Sequence, residues 1–415
     1  MNIAYFVDEY PPFFRGGLGT YAKEMSERLA KLENRLFIFS RNINKAPVSE
    51  EKGNVSIHRP ELGSIESMLS AMIPQEVKNW SPEGQKFFGE TLLYNILSSS
   101  KLINEVAKRE KIDLIVAHDW LASLAGCISK CNLNKPFVFH MHSAEQGRRG
   151  NGSETVKAME REAVKEADAV ITVSYAMREH MISLGYAADK IRVVYNGVDV
   201  GKYDIKKVRG EDILKFRQSL NAEDNLLILF IGRLSWVKGA DVLLRAMPGI
   251  LKETPNAKLV VLGEGEDEKM LTALASSLGI EKNVIFEFKY VSEEERILHY
   301  AACDIACFPS KYEPFGIVCT EAMSMGKPVI VGARGVSGLR EQVIPQGENI
   351  CGFHINPYDP EDIAKFCAIV LKDKSLREKM GKNARKRVIE NFSWDKSAEQ
   401  TLGIYKEVYE THTKQ

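Results

Sequence analysis

Glu313 and Glu321 lie in the stretch FPSKYEPFGIVCTEAMSMGKPVI, residues 308–330, with seven residues between them. The apolar run Asp304 to Phe308 reads as a strand before them. Pro314, Phe315 and Gly316 read as the opening of a helix that stops near Gly326, and Pro328 to Val331 reads as the next strand. A helix start of this kind has unpaired N–H groups and a positive dipole end, a seat for an anion. Eight residues of helix advance roughly 12 Å, so one carboxylate is expected before that seat and the other two turns beyond it. A ligand with hydroxyls at both ends and phosphates between them, a nucleotide-sugar, suits this arrangement. The bland reading stands beside it: such a spacing is common, and an acid at a helix start is ordinary dipole chemistry.

Other residues with chemical potential also follow expected strands. After Leu226–Ile231 come Gly232, Arg233 and then Lys238-Gly239. An arginine fork and a lysine point charge suit a diphosphate and can neutralise a leaving group. Gly263-Glu264-Gly265, after the next strand, permits a tight turn. Near the start, Gly16, Gly17 and Gly19 open a helix, where a glycine loop can approach a phosphate or simply turn the chain. Gly17, Gly19 and Ala22 also match G-x-G-x-x-A, but about eight loop residues precede the glycines and the acid after the second strand is missing, so NAD or FAD is not expected. After Asp113–Ala117 come His118-Asp119-Trp120, and after the strand ending near Met141 come His142, Ser143, Glu145, Arg148 and Arg149. His140 and His142 share a strand face. With His118 and Asp119 they form a conceivable metal site, although a buried hydrogen-bonded ring is the favoured reading of His140. There is no Asp-x-Asp to clamp a metal diphosphate, and Cys127 and Cys131 have no second pair to complete a zinc site. No metal and no cofactor are expected.

These residues need a scaffold, and the chain is long enough for two domains at 415 residues. Short β-rich runs alternate with helical patterns from Ile3–Val7 onward, which implies parallel sheets covered by helices on both faces. The first domain is expected over residues 1–200 and the second over 201–393, with a hinge near Asn196 to Asp212 and an irregular insertion at residues 59–84. After Gly352 the chain reads as mainly helical. Two doubly wound domains facing each other would place a ligand at the carboxyl ends of both sheets.

Composition narrows the class. Hydrophobic residues make up 44% and charged residues 27%, and 56 basic residues balance 56 acidic ones. That balance asks for neither nucleic acid nor an anionic membrane. Met1 to Val7 reads directly as a strand rather than a secretory leader, and the apolar runs fall short of the ~18 residues of a membrane span. The scattered cysteines, seven in all, mostly sit in apolar runs, as buried thiols of a reducing cytoplasm would.

In order along nearly the whole chain, PPFFRGGLGTYAKEMSERLAKL, HDW, HMHSAEQGRRG, ADAVITVS, YNGVD, IGRLSWVKG, VVLGEGE and FPSKYEPFGIVCTEAMSMGKPVI resemble the retaining glycosyltransferases of the GT-B fold. The specific likeness is to the group 1 family that borders glycogen and starch synthases. The resemblance implies two Rossmann-like domains and a crossover helix, at about residues 394–415, returning to the first. It implies that Arg233 and Lys238 bind the diphosphate, that Glu313 contacts the transferred sugar, and that Glu321 holds the ribose. Phe315, Gly316 and Ile317 would offer backbone N–H groups, and Gly16 and Gly17 would close on the phosphates. His142 would lie beside the reacting sugar, and Asp119 would be an acid on the acceptor or sugar side. Phe14 departs from the lysine common in glycogen synthases, with Arg15 as its stand-in. The implied reaction moves glucose from ADP- or UDP-glucose to a carbohydrate acceptor, foremost an α-glucan, without a metal. A trehalose-forming synthase, a transferase to lipid or small-molecule acceptors, a sugar-nucleotide epimerase or hydrolase using His142, Asp119 and Glu145, and a non-catalytic sensor are the alternatives. A homo-oligomer is compatible with all of these.

Overall fold

The computed structural model describes residues 1–13, 16–65, 68–148 and 152–414. Phe14, Arg15 and Arg149 lie outside the described residues. The chain divides into two compact units. The first holds residues 1–173, 178–195 and 394–415, and the second holds 174–177 and 196–393.

In the first unit the strands are β1 (Asn2–Phe6), β2 (Arg35–Phe39), β3 (Ser49–Lys52), β4 (Val55–His58), β5 (Leu114–His118), β6 (Phe137–Met141), β7 (Ala169–Thr172) and β8 (Ile191–Val193). They form one sheet in the order β3-β4-β2-β1-β5-β6-β7-β8. Runs such as LIVAH and FVFHM are buried along their whole length, as strands covered on both faces must be. All neighbours pair in parallel except β3, which runs antiparallel to β4 at one edge. The sequence reading omitted that edge pair, because SEEK is short, polar and carries no apolar alternation. The helices that matter here are α1 (Gly17–Lys31), which follows β1, and α2 (Asp119–Leu133), which follows β5.

The second unit contains β9 (Leu226–Ile231), β10 (Ala257–Leu262), β11 (Val284–Glu287), β12 (Ile305–Phe308), β13 (Val329–Gly332) and β14 (Gly352–Ile355), in the order β11-β10-β9-β12-β13-β14. The chain after Gly352 is mainly helical, as expected, apart from the short strand β14 that was not anticipated. Its four residues are too few to show periodicity, and they form a strand because they pair with β13. Helices α3 (Ala240–Glu253), α4 (Glu293–Ala302) and α5 (Ile317–Ser324) lie in this unit.

The last helix, α6 (Trp394–Thr413), packs Leu402, Tyr405 and Val408 into the first unit's core beside Ile3, Tyr5 and Leu29. The cysteines are all free, and five of them (Cys303, Cys307, Cys319, Cys351 and Cys367) are buried. Among the described residues no helix is long and apolar enough to cross a membrane.

Each sheet has one place where the winding reverses: between β1 and β5 in the first, and between β9 and β12 in the second. In open parallel sheets, ligands bind beyond the strand carboxyl ends at such reversals. Gly16 and Gly17 follow β1, Asp119 follows β5, Arg233 and Lys238 follow β9, and Glu313 follows β12.

Candidate active site

In the second unit the segments after β9 and β12 are latched together. Lys311 N–H donates to the Val237 carbonyl at 2.7 Å. Gly239, left-handed at φ 75°, packs so tightly that a Cβ there would lie 2.1 Å from the Pro309 carbonyl oxygen. Only glycine permits that approach. The latch carries Lys238, at the end of the short turn Trp236–Lys238, onto Glu313, and Lys238 Nζ donates to Glu313 Oε2. Ser310 Oγ donates to the same oxygen at 3.3 Å. The Glu313 backbone is fixed on both sides: its N–H donates to the Val336 carbonyl at 2.9 Å, and its carbonyl accepts from Gly338 N–H at 2.8 Å. The carboxylate and ammonium meet at a strand end, neutralising each other in a largely buried setting.

Beside this pair, Lys311 is nearly buried, with 3% of its side chain exposed. Its Nζ is 3.2 Å from Asp241 Oδ1 and 4.6 Å from the centre of the Trp236 ring, whose side chain is exposed. Arg233 is in neither pair. Its side chain is exposed and bonds to Glu266 at 3.2 Å. Gly263 closes the floor, since a Cβ on it would lie 2.0 Å from the Gly232 carbonyl oxygen.

The helix expected from Pro314 to near Gly326 is shorter in the structure, spanning Ile317–Ser324. Pro314 and Phe315 precede it, Gly316 is its left-handed cap at φ 89°, and α5 begins at Ile317. Glu313 is therefore on a loop, and the helical rise from Ile317 to Glu321 is only about 6 Å. The separation argued from eight helical residues does not apply. The error lay in taking Pro314 as a helix-opening proline, whereas the chain turns at Gly316.

Glu321 belongs to a different network. It is buried, Tyr300 Oη donates to its Oε2 at 2.8 Å, and Arg296 lies 3.4 Å from its Oε1. Arg296 also donates to Tyr203 Oη at 2.6 Å through one terminal nitrogen. Burial works most strongly against the Arg296 charge, but Glu321, Tyr203 and Tyr300 beside it together outweigh this and raise its pKa. Arg296 and Tyr300 are one helical turn apart on α4, and no motif in the sequence ties them to Glu321.

In the first unit, Gly16 caps α1 and accepts from Thr20 N–H at 3.2 Å, and Gly17 is the first residue of the helix. α1 starts with neither a side-chain cap nor an acid in its first turn. Asp119 opens α2 in a left-handed conformation, φ 53°, and its Oδ1 accepts from His142 N–H at 2.8 Å. This bond fixes the backbone of the half-buried His142. His142 Nε2 and His118 Nδ1 are 3.1 Å apart, which requires one N–H and one bare nitrogen. Tyr21 sets its ring edge-on to His142, with centroids 4.5 Å apart, and bonds His140 Nδ1 at 3.2 Å. Tyr405 of α6 bonds His140 Nε2 at 2.7 Å.

Ring nitrogens of the three histidines come within 4.8 Å of one another, close enough to suggest a metal. Both nitrogens of His140 already have tyrosine partners, however, and His142 stacks on His118 and His140 at 25° and 20°. His118 Nδ1 and His142 Nε2 are likewise taken up by each other. Burial holds the pKa values of His118 and His140 well below the usual histidine range, with the neighbouring rings adding to the effect. The sequence reading found all three histidines but not Tyr21 and Tyr405, which look in the chain like ordinary apolar helix positions.

Known proteins resemble this chain along nearly its whole length. The model for "Glycosyl transferases group 1" matches residues 212–387 and that for "Glycosyltransferase Family 4" matches residues 15–202. The chain is 34% identical to an uncharacterised glycosyltransferase of Methanocaldococcus jannaschii, over 98% of each chain. It is 26% identical to a glycogen synthase of Mycobacterium tuberculosis, covering 96% of this chain and 92% of that one. To a D-inositol 3-phosphate glycosyltransferase of a Nocardioides species it is 28% identical, covering 94% and 85%. Among solved structures, sucrose-phosphate synthase from Thermosynechococcus elongatus superposes with a TM-score of 0.78 over 99% of both chains, at 24% identity. With these matches across both units, the chain belongs to the group 1 glycosyltransferases, built as the two parallel-sheet α/β domains of the GT-B fold.

Proposed function

We propose that this glycosyltransferase transfers glucose from a nucleoside diphosphate-glucose, ADP- or UDP-linked, to a carbohydrate acceptor with retention of configuration, and that an α-glucan is the first acceptor to test. The observation that carries this reading is the Lys238–Glu313 pair at the winding reversal of the second sheet. A donor entering there would exchange the Lys238–Glu313 bond for two better ones. Lys238 would turn to the diphosphate, and the released Glu313 carboxylate would accept from sugar hydroxyls. As the bond to the anomeric carbon breaks, negative charge grows on the diphosphate. A preorganised cation shielded from water stabilises that charge by several kcal/mol. Arg233, exposed and paired among the described residues with Glu266, can swing toward the same phosphates. These cations take the role a metal would otherwise fill, so transfer is read as metal-independent.

Glu313 and Glu321 are hydroxyl holders in this reading and not an acid–base pair, because Glu321 is already engaged by Arg296 and Tyr300. His142, fixed by Asp119 and His118, would serve the sugar in the first unit. A second acceptor class, a phosphorylated polyol, is favoured by the similar likeness to the D-inositol 3-phosphate glycosyltransferase. The test is incubation with UDP- or ADP-glucose, with EDTA present, plus glycogen, glucose, glucose phosphate or inositol phosphate. Nucleoside diphosphate release with one acceptor only identifies that acceptor. Release with none of them, or sugar turnover without acceptor, rejects the proposal.

A further inference from the structure

About 100° around α4 from Arg296 and Tyr300 lies a group of side chains that the proposed reaction does not use. Glu295 and His299 are one helical turn apart, and Glu287 ends β11 beside them. Their ligand atoms lie within 4.8 Å of one another. His299 is buried, with Phe216 set edge-on to its ring at 4.7 Å. Its Nε2 is 3.0 Å from Glu287 Oε2, yet both atoms are buried without a hydrogen-bond partner, so they face each other out of hydrogen-bond alignment. Two ligands each about 2.1 Å from a tetrahedral ion stand about 3.4 Å apart, so the pair at 3.0 Å has to open by only about 0.4 Å to hold one. Lys289 bridges the two carboxylates, 2.7 Å from Glu295 and 3.5 Å from Glu287. It sits on the solvent side as a replaceable cation.

The geometry points to a divalent metal site, of the class that takes Zn2+, formed by His299 Nε2, Glu287 and Glu295. One imidazole with two carboxylates is a donor set suited to that ion, leaving positions for water. The ligand must be neutral imidazole. Burial favours that form of His299, while Glu287 opposes it. Metal would displace Lys289, leave the histidine uncharged, and tie the end of β11 to α4. Both elements support the donor-side cluster: the Glu287 carbonyl accepts from Gly263 N–H at 3.1 Å, and α4 carries Arg296 and Tyr300. The role is structural, and it does not depend on the transfer reaction proposed above.

The test is calorimetric titration of the chelator-stripped full-length chain with Zn2+, paired with melting curves. The expected result is one equivalent bound, a raised melting temperature, and at least about tenfold weaker binding in both His299→Gln and Glu295→Gln. Glu295 is 36% exposed, so its variant keeps the fold and decides the matter if His299→Gln does not. Absence of binding by the wild-type chain, or binding unchanged in Glu295→Gln, leaves a salt-bridge cluster only and overturns the site. Loss of the bound Zn2+ in His142→Gln instead would move it to the histidine stack and equally overturn the proposal.

Discussion

In the first unit, His118, His140 and His142 are held by ring stacking, by hydrogen bonds of His140 with Tyr21 and Tyr405 and by the bond between His118 and His142, and burial favours the uncharged form of His118 and His140. In the second, Lys238 with Glu313, Lys311 with Asp241, and Arg296 with Glu321 are held as opposite charges. A neutral stack fixes where a ring stands but offers an incoming ligand little charge. A set of paired charges can trade one partner for another, so it can receive an anion without first being built around it. On the proposed function, the charged cluster would receive the donor's diphosphate and the neutral cluster would position a hydroxyl-bearing sugar. Each consequence can be tested by breaking one kind of contact.

The largest effect is expected from Lys238→Ala. It removes the cation that would meet the diphosphate, and losing one preorganised charge donor costs about 100- to 1000-fold in turnover. Because 27% of the Lys238 side chain is exposed, the fold should survive, with circular dichroism and melting temperature close to wild type. Steady-state kinetics with the identified donor and acceptor check this. Near-normal turnover would mean that the charged cluster is not the leaving-group site.

Arg296→Leu separates structural pairing from catalytic pairing. It strands Glu321, whose side chain is 5% exposed, with Tyr300 as its remaining partner from this network. Breaking a buried pair from one side destabilises by about 3–5 kcal/mol, whereas replacing both charges by apolar groups is often close to neutral. The double variant Arg296→Leu with Glu321→Leu should therefore melt above the single variant in chemical denaturation. A double variant that is no more stable than the single one would show that Glu321 is held by Tyr300 alone.

What the sequence shows of this comparison differs between the clusters. Strand positions were legible because buried parallel strands leave apolar runs, and candidate positions such as His118-Asp119 and Gly232-Arg233 could be named because they directly follow those runs. Glu313 and Lys238 were named separately, but their contact was not legible. It depends on Gly239 fitting against the Pro309 carbonyl, a tertiary approach with no local pattern. The start of α5 was misplaced for a related reason: Pro314 is a good helix opener by composition, yet Gly316 makes the turn. Arg296, Tyr300, Tyr21 and Tyr405 stayed hidden because each sits at an ordinary helix position and acquires meaning only from its partner.

The smallest effect, and the one that sharpens the neutral side of the comparison, is on acid stability. His118 and His140 have folded pKa values held below the 6.5 of a free histidine, chiefly by burial. The unfolded chain therefore binds their protons first as the pH falls. Their contribution to stability is fully present above about pH 6.5 and is lost progressively below it, down to the depressed folded values. Each such group contributes a slope of at most about 1.4 kcal/mol per pH unit in that window. Trp80, Trp120 and Trp394 lie in the first unit and only Trp236 in the second, so tryptophan fluorescence mainly follows the unit in question. His299 in the second unit is also shifted down and adds its own acid sensitivity, so the wild-type slope alone is not diagnostic. His118→Asn isolates the stack. Its denaturation midpoint between pH 6.5 and pH 5 should fall less steeply than that of wild type, by up to one histidine's slope. A variant as acid-sensitive as wild type would mean that His118 is protonated in the folded state, and the contrast between a neutral cluster and a charged one would fail.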